Sequence, residues 1–171
     1  KLKKEGKIKN YRFGKNGEIY MNQVDKLIYD LHYNKDSRRM VVSLWNVEDL
    51  NNMALQPCAF LTEWNVTNGK LNLLLNIRSS DTLVGLPYNM AQYAFLLLLM
   101  AQTCNLKPGL FTIMINDAHL RGAFIQVGNA SHYAPKVGIK PRVKSFYNFK
   151  IDDLILEDYE HSGKIPFEVA V

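Results

Sequence analysis

The stretch "AFLTEWNVTNGKLNLLLNIRSSD" constrains this chain more than any other. Asn68-Gly69 stands between two runs of alternating apolar and polar residues, the pattern of a β-hairpin closed by a two-residue primed turn. Thr67 then pairs with Lys70, and counting along both strands puts Cys58 opposite Ser79, one residue from Arg78. Strict alternation turns Arg78 to the other face of the hairpin from Cys58. A bulge is therefore required if the two side chains share a pocket.

Other elements arrange themselves around this hairpin. Residues 1–20 are basic, contain glycine and show no sustained period, and read as an N-terminal arm; residues 21–171 read as a single domain. "NQVDKLIYDLHYN" spaces Val24, Leu27, Ile28 and Leu31 as an amphipathic helix ending near "NKDS". "RRMVVSLW" is β-branched and reads as a strand just after a paired arginine, and Asn46 is placed to cap a short helix over "NVEDLNNMAL". "DTLVGLPYN" is a loop leading into an apolar helix from about Met90 to Thr103, with Asn89 near its start. "LKPG" then breaks that helix before a buried strand, "LFTIMIND". "AHLRGAFIQVG" begins a helix that Gly122 and Gly128 weaken, and short strands follow in "KVGI", "FKIDDLILEDYE" and "KIPFEVAV". Helices alternating with hairpin-like strands point to an α+β fold, a mixed sheet packed against helices with one long buried central helix, rather than a doubly wound sheet.

At 171 residues the chain fits one domain with one substantial core. Its only cysteines, Cys58 and Cys104, share no CxxC-like pattern, so neither a disulfide framework nor a metal site is expected. The run "MAQYAFLLLLMA" is shorter than the ~20 residues that span a bilayer and reads as a buried helix. A cytoplasmic location without membrane attachment is the expectation. Position 1 is lysine, as processing or an absent upstream segment would leave it. The net charge of +5, concentrated in "KLKKEGKIK" and "GIKPRVK", favours anionic partners but does not separate nucleic acid, nucleotide and polyglutamylated cofactor.

On its own Cys58 reads as a small buried hydrophobe. Nearby cations change that reading, because they favour the thiolate: Arg78 can approach it, and Arg38 and Arg39 can join from elsewhere. The same guanidinium forks suit phosphate. Asn89 reads as a helix cap, yet an amide that donates one hydrogen bond and accepts another also matches the ring edge of uracil and not that of cytosine. Asp81, Asp117 and His119 sit at strand ends, where site residues gather.

Together these stretches resemble the thymidylate synthase family. "QVDKLIYDL", "DSRRMVVSLWNVEDLNNMALQPC", "RSSDTLVGLPYNMAQYAFLLLLMAQTC", "NDAHL" and "FYNFKIDDLILEDYEHSGKIPFEVAV" occur in the family's order, from about Gln23 to Val171. The resemblance implies Cys58 as nucleophile. It puts Arg78 and Ser79, with Ser80, at the nucleotide phosphate, and makes Arg38 and Arg39 the pair that reaches across a homodimer to the partner's phosphate site. Asp81 and Gly85 fall at the folate, Asn89 at the uracil edge and His119 near the deoxyribose. Ala170 belongs to the tail that closes over the cofactor. The implied reaction converts dUMP to dTMP with 5,10-methylenetetrahydrofolate, through a covalent adduct between Cys58 and ring position 6.

Several positions depart from the family pattern. Ala59 follows the cysteine where many members carry histidine. Arg121 stands where the family has the tyrosine that bonds the sugar, and Asn116 replaces a glycine. The family's N-terminal portion, with a phosphate-loop arginine and the catalytic glutamate of an "ELLWxL"-like stretch, has no counterpart in residues 1–20, so the expectation is a divergent member without it. Two rivals follow: a pyrimidine-nucleotide hydroxymethylase of the same superfamily, and a non-catalytic nucleotide- or RNA-binding relative. Nucleic acid is the less favoured partner.

Overall fold

A computed structural model describes residues 1–120 and 127–165 of the chain. A small hairpin of β1 (Tyr11–Phe13) and β2 (Ile19–Met21) precedes helix α1 (Gln23–Tyr33). The main sheet then begins with β3 (Val41–Ser43), β4 (Ala59–Thr67) and β5 (Lys70–Ile77). After the two-residue strand β6 (Ser80–Asp81) comes the long helix α2 (Gly85–Thr103), then β7 (Lys107–Ile115), β8 (Ala118–His119), β9 (Lys136–Ile139) and β10 (Leu154–Glu157).

The four-stranded sheet has the order β3-β4-β5-β7, antiparallel except for the β5–β7 pair, which is parallel. A parallel neighbour needs a crossover, and α2 supplies it. The fold is thus α+β with a mixed sheet, as the element pattern suggested. At the Asn-Gly turn Asn68 has φ 51° and Gly69 φ 72°, so both central residues take the left-handed conformation of a primed turn, and Thr67 pairs with Lys70.

The two faces of this sheet differ sharply. Leu71, Leu73, Leu75 and Ile77 of β5 are almost wholly buried, with Thr62 and Trp64 of β4 beside them, and they meet α1 and α2. Trp64 Nε1 finds its needed partner in Thr62 Oγ1 at 3.0 Å. The opposite face carries Val41, Leu61, Glu63, Leu74, Asn76 and Met114. It is open: Met114 is 58% exposed and, at its edge, Leu110 69%. The β7 strand is therefore covered on one face only, where its apolar run reads as a buried strand. It also starts earlier than the "LKPG" breaker implied. Gly109 fits there because a Cβ would lie 2.2 Å from Asn72 Oδ1, the atom that accepts the Leu110 amide at 2.8 Å.

Helix α2 lies between the sheet and the β9–β10 ribbon. Tyr93, Leu97, Met100 and Ala101 pack toward the sheet, while Leu99 joins Ile139 and Val143 in a second cluster. Burial is confined to its C-terminal two-thirds, since Tyr88 is 76% exposed. Gln102 Nε2 ties the end of the helix to the carbonyls of Lys140 and Val143, each at 2.9 Å. Asn105, at φ 55°, turns the chain out of it. No described helix is long and apolar enough to cross a membrane.

Residues 1–20, expected as an arm, contribute to the core: Leu2 and Ile8 are buried in the main cluster. The tether is Asp25. Its carboxylate, fully buried near the start of α1, accepts the backbone N–H groups of Lys9 and Asn10 and the Tyr147 hydroxyl at 2.8 Å. Burial, and then the Asp25 carboxylate, push the Tyr147 phenol up from its ordinary value, so it remains a donor at neutral pH. Ser145 Oγ adds a bond to the Gly6 carbonyl at 2.8 Å. Asp25→Ala strands these buried donors and is expected to lower unfolding free energy by about 2–4 kcal/mol, against less than ~1 for Lys15→Ala at an exposed position, as read from urea midpoints.

Candidate functional site

The hairpin carries a bulge where the functional reading needed one. Register runs regularly from Thr67↔Lys70 to Leu61↔Asn76 and then shifts, so that Ala59 pairs with Ile77 and Phe60 is the extra residue. One step further the Arg78 amide donates to the Cys58 carbonyl at 2.9 Å. Cys58 therefore faces Arg78 and not Ser79, the partner that unbroken alternation gave. The Arg78 guanidinium folds back on the same segment, donating through Nε to the Pro57 carbonyl at 3.0 Å and through Nη2 to the Gln56 carbonyl at 2.8 Å. A half-buried cation thus braces the two residues before a half-buried thiol, with guanidinium donors to spare for an anion.

Beyond Arg78 the chain runs beside the end of β7. Ser80 pairs with Ala118 and Asp81 with His119 in the short parallel ladder of β6 and β8. Ser79 Oγ lies 3.0 Å from His119 Nε2, and Asp117 Oδ2 lies 3.4 Å from the same nitrogen. Because both contacts fall on Nε2, this trio is not a relay in which a carboxylate orients one ring nitrogen and the other takes a proton. Ser80 points inward, and its hydroxyl is buried without a partner among the described residues. Asp81 Oδ1 accepts the amides of Leu83 at 3.1 Å and Val84 at 3.0 Å, fixing the two residues that lead into α2. That helix therefore begins at Gly85, a turn before the expected start near Met90, and Asn89 lies inside it rather than capping it. Gly85 and Asn89, four residues apart, share a helix face next to Asp81.

The structure does not bring every expected residue together. Arg38 and Arg39 are exposed at the entrance to β3, where Met40 and Val41 meet Trp64 and Glu63. Arg38 lines a depression with Val41, Glu63 and Asn65. Cys58 lies at the other end of β4, roughly 20 Å away at about 3.3 Å per strand residue. These arginines cannot approach the thiol of their own chain. Arg121 and Ala170 lie outside the described residues. The braces at Gln56 and Pro57 had no sequence signal, since backbone carbonyls accept from any neighbour that the fold supplies.

Leu83, Val84 and Tyr88 open onto a largely apolar groove of about 920 Å³ that continues along Ala91 and Phe95 to Val137 and Ile165. It starts at Leu83 and Val84, the two residues whose amides Asp81 accepts, and its apolar walls suit a flat ring. The two thiols differ in environment. Cys104 is buried, and burial pushes its thiol up to about 11, whereas Cys58 is only half-buried.

Comparison with known proteins matches residues 6–171 to the family model described as "Thymidylate synthase". A thymidylate synthase of Clostridium beijerinckii is 46% identical over 157 residues, covering 88% of this chain and 60% of that protein. One from Bacillus licheniformis is 40% identical over 176 residues, covering 97% and 63%. The solved structure of thermostable thymidylate synthase A from Bacillus subtilis superposes with a TM-score of 0.85 at 40% identity, covering 96% of this chain and 60% of that one. The chain thus spans about 60% of the length of the relatives it matches.

Iodoacetamide at pH 8 is expected to give one adduct on the folded protein, at Cys58 by peptide mapping. Cys104, with about one thiol in a thousand ionised at that pH, is expected to react only after denaturation.

Proposed function

Because the chain belongs to the thymidylate synthase family, we propose that it carries a dTMP-forming site that acts on dUMP and 5,10-methylenetetrahydrofolate. The observation that carries this reading is the bulge-placed pair of Cys58 and Arg78. Arg78 braces the residues before the thiol, and its remaining donors suit the phosphate of a nucleotide. Ser79 and His119, joined at 3.0 Å, offer hydroxyl and ring nitrogen to the phosphate and sugar. Asn89 takes the O4 and N3–H edge of uracil, one group donating and one accepting.

The Cys58 thiolate adds to ring position 6, and the ring's π electrons shift to make position 5 an enolate-like carbon. That carbon attacks the methylene of the folate, forming the new carbon–carbon bond while the folate nitrogen leaves. Position 5 then loses its proton, and the folate departs from the resulting exocyclic methylene. A hydride from the tetrahydrofolate ring reduces that methylene, the thiolate is expelled, and dTMP and dihydrofolate are the products. Asp81 and Gly85, which flank the groove residues Leu83 and Val84 in the chain, suit the pterin, with the groove walls excluding water from the adduct.

Arg38 and Arg39 serve the site only from a second copy of the chain. A homodimer through the open sheet face explains both their distance from Cys58 and the exposure of Leu110 and Met114 on that side of the sheet.

The test is tritium release from dUMP labelled at position 5, with and without methylenetetrahydrofolate, for wild type and Cys58→Ser. Wild type is expected to release tritium and the variant to fall by at least ~10³-fold. Release that persists in the variant removes Cys58 from the mechanism. Product mass separates the reactions: a methyl gain supports this reading, and a hydroxymethyl gain supports quenching of the intermediate by water.

A further inference from the structure

After β10 the chain makes an exposed turn over residues 158–163, with Asp158 at φ 57° and Gly163 at φ 93°. No side chain of this turn belongs to either apolar cluster, so packing does not fix it. Polar contacts do. His132, from the segment before β9, places Nε2 2.9 Å from Ser162 Oγ and Nδ1 3.4 Å from Glu160 Oε2. Both ring nitrogens are therefore engaged, one on each side of His161. A neutral ring with hydrogen on Nδ1 satisfies the set, donating to the Glu160 carboxylate and accepting the Ser162 hydroxyl. Lys136 Nζ adds an ion pair to Asp158 at 2.8 Å, and the Gly163 amide donates to His161 Nδ1 at 3.0 Å.

The residues that leave this turn, Gly163, Lys164 and Ile165, line the apolar groove together with Val84 and Tyr88. The groove wall is thus hung from a turn whose long-range hydrogen bonds and ion pairs among the described residues run through His132 and Lys136. Of the two, Lys136 holds the first residue of the turn and His132 its later half, next to the wall. We propose that His132 is a positioning residue for the cofactor groove, its two ring nitrogens fixing the 158–163 turn so that the 163–165 wall stands in place for a reduced folate. This rests on the reading of the groove as the folate site, and the test separates the two.

Backbone hydrogen exchange of the free chain is compared for wild type, His132→Ala and His132→Gln, the glutamine keeping one donor for Glu160 and one acceptor for Ser162. Exchange of the Gly163 amide, the one amide of residues 159–165 with a hydrogen-bond partner among the described residues, is expected to quicken about three- to tenfold in His132→Ala and to return toward wild type in His132→Gln, with unchanged protection in β4 and β5. In tritium release, the KM for methylenetetrahydrofolate is expected to rise by a similar factor in His132→Ala, with kcat and the KM for dUMP within about twofold, and to recover in His132→Gln. Unchanged exchange in His132→Ala overturns the proposal. Faster exchange with an unchanged folate KM overturns the link between turn and groove. A wild-type protein that releases no tritium defeats the reading of the reaction instead, and the exchange comparison alone then decides whether His132 holds the turn.

Discussion

The site depends on one extra residue in one strand. Without the bulge at Phe60, pleat alternation would send Cys58 and Arg78 to opposite sides of the β4–β5 hairpin. With it, the Arg78 amide bonds the Cys58 carbonyl and the guanidinium braces the two preceding residues. The rest follows along the chain. Continuing from Arg78, the backbone lays Ser79 against His119, and Asp81 under the first turn of α2. The helix then sets Gly85 and Asn89 on one face and carries the chain across to β7. A single hairpin and its crossover helix therefore position Cys58, Arg78, Ser79, Asp81 and Asn89, the residues to which the proposed reading gives the roles of nucleophile, anion donors and base-reading amide.

The same hairpin explains what the chain cannot do alone. Strand β4 separates Arg38 and Arg39 from Cys58 by roughly 20 Å, and a sheet this well buried on one face does not fold to close that gap. The open face, with Leu110 and Met114 on its β7 side, is where a second copy would bring these arginines to the first copy's phosphate. In the proposed reading, dimerisation and catalysis are then one geometric requirement.

What the sequence made legible was local. The Asn-Gly turn, the apolar stripe of α1 and the βαβ order are periodicity and turn chemistry, and the structure carries each. The need for a bulge was visible as a conflict of parity, but its position was not, because nothing in "CAFLT" marks Phe60. The N-terminal segment was misjudged because its anchor is a polar residue: Asp25 binds amides 15 and 16 positions earlier and a phenol 122 positions later, and no periodicity reports such bonds. The sequence reads the start of α2 late because Asp81 holds the lead-in residues Leu83 and Val84 without capping the helix, and a proline that reads as a breaker follows in the first turn. For the site, residue chemistry alone left Cys58 as core filler. Motif order identified the family, and the separation of Arg38 from Cys58 emerged only with the sheet.

The central claim, that each site is assembled from Cys58 of one chain and the arginine pair of another, is tested most directly by mixing two inactive proteins. A variant carrying Arg38→Ala and Arg39→Ala keeps its thiol but cannot serve its partner; Cys58→Ser keeps the arginines but has no nucleophile. Co-refolded in equal amounts, half of the dimers are mixed and each holds one complete site, so about a quarter of wild-type tritium release is expected. A mixture no more active than its two components would contradict the account.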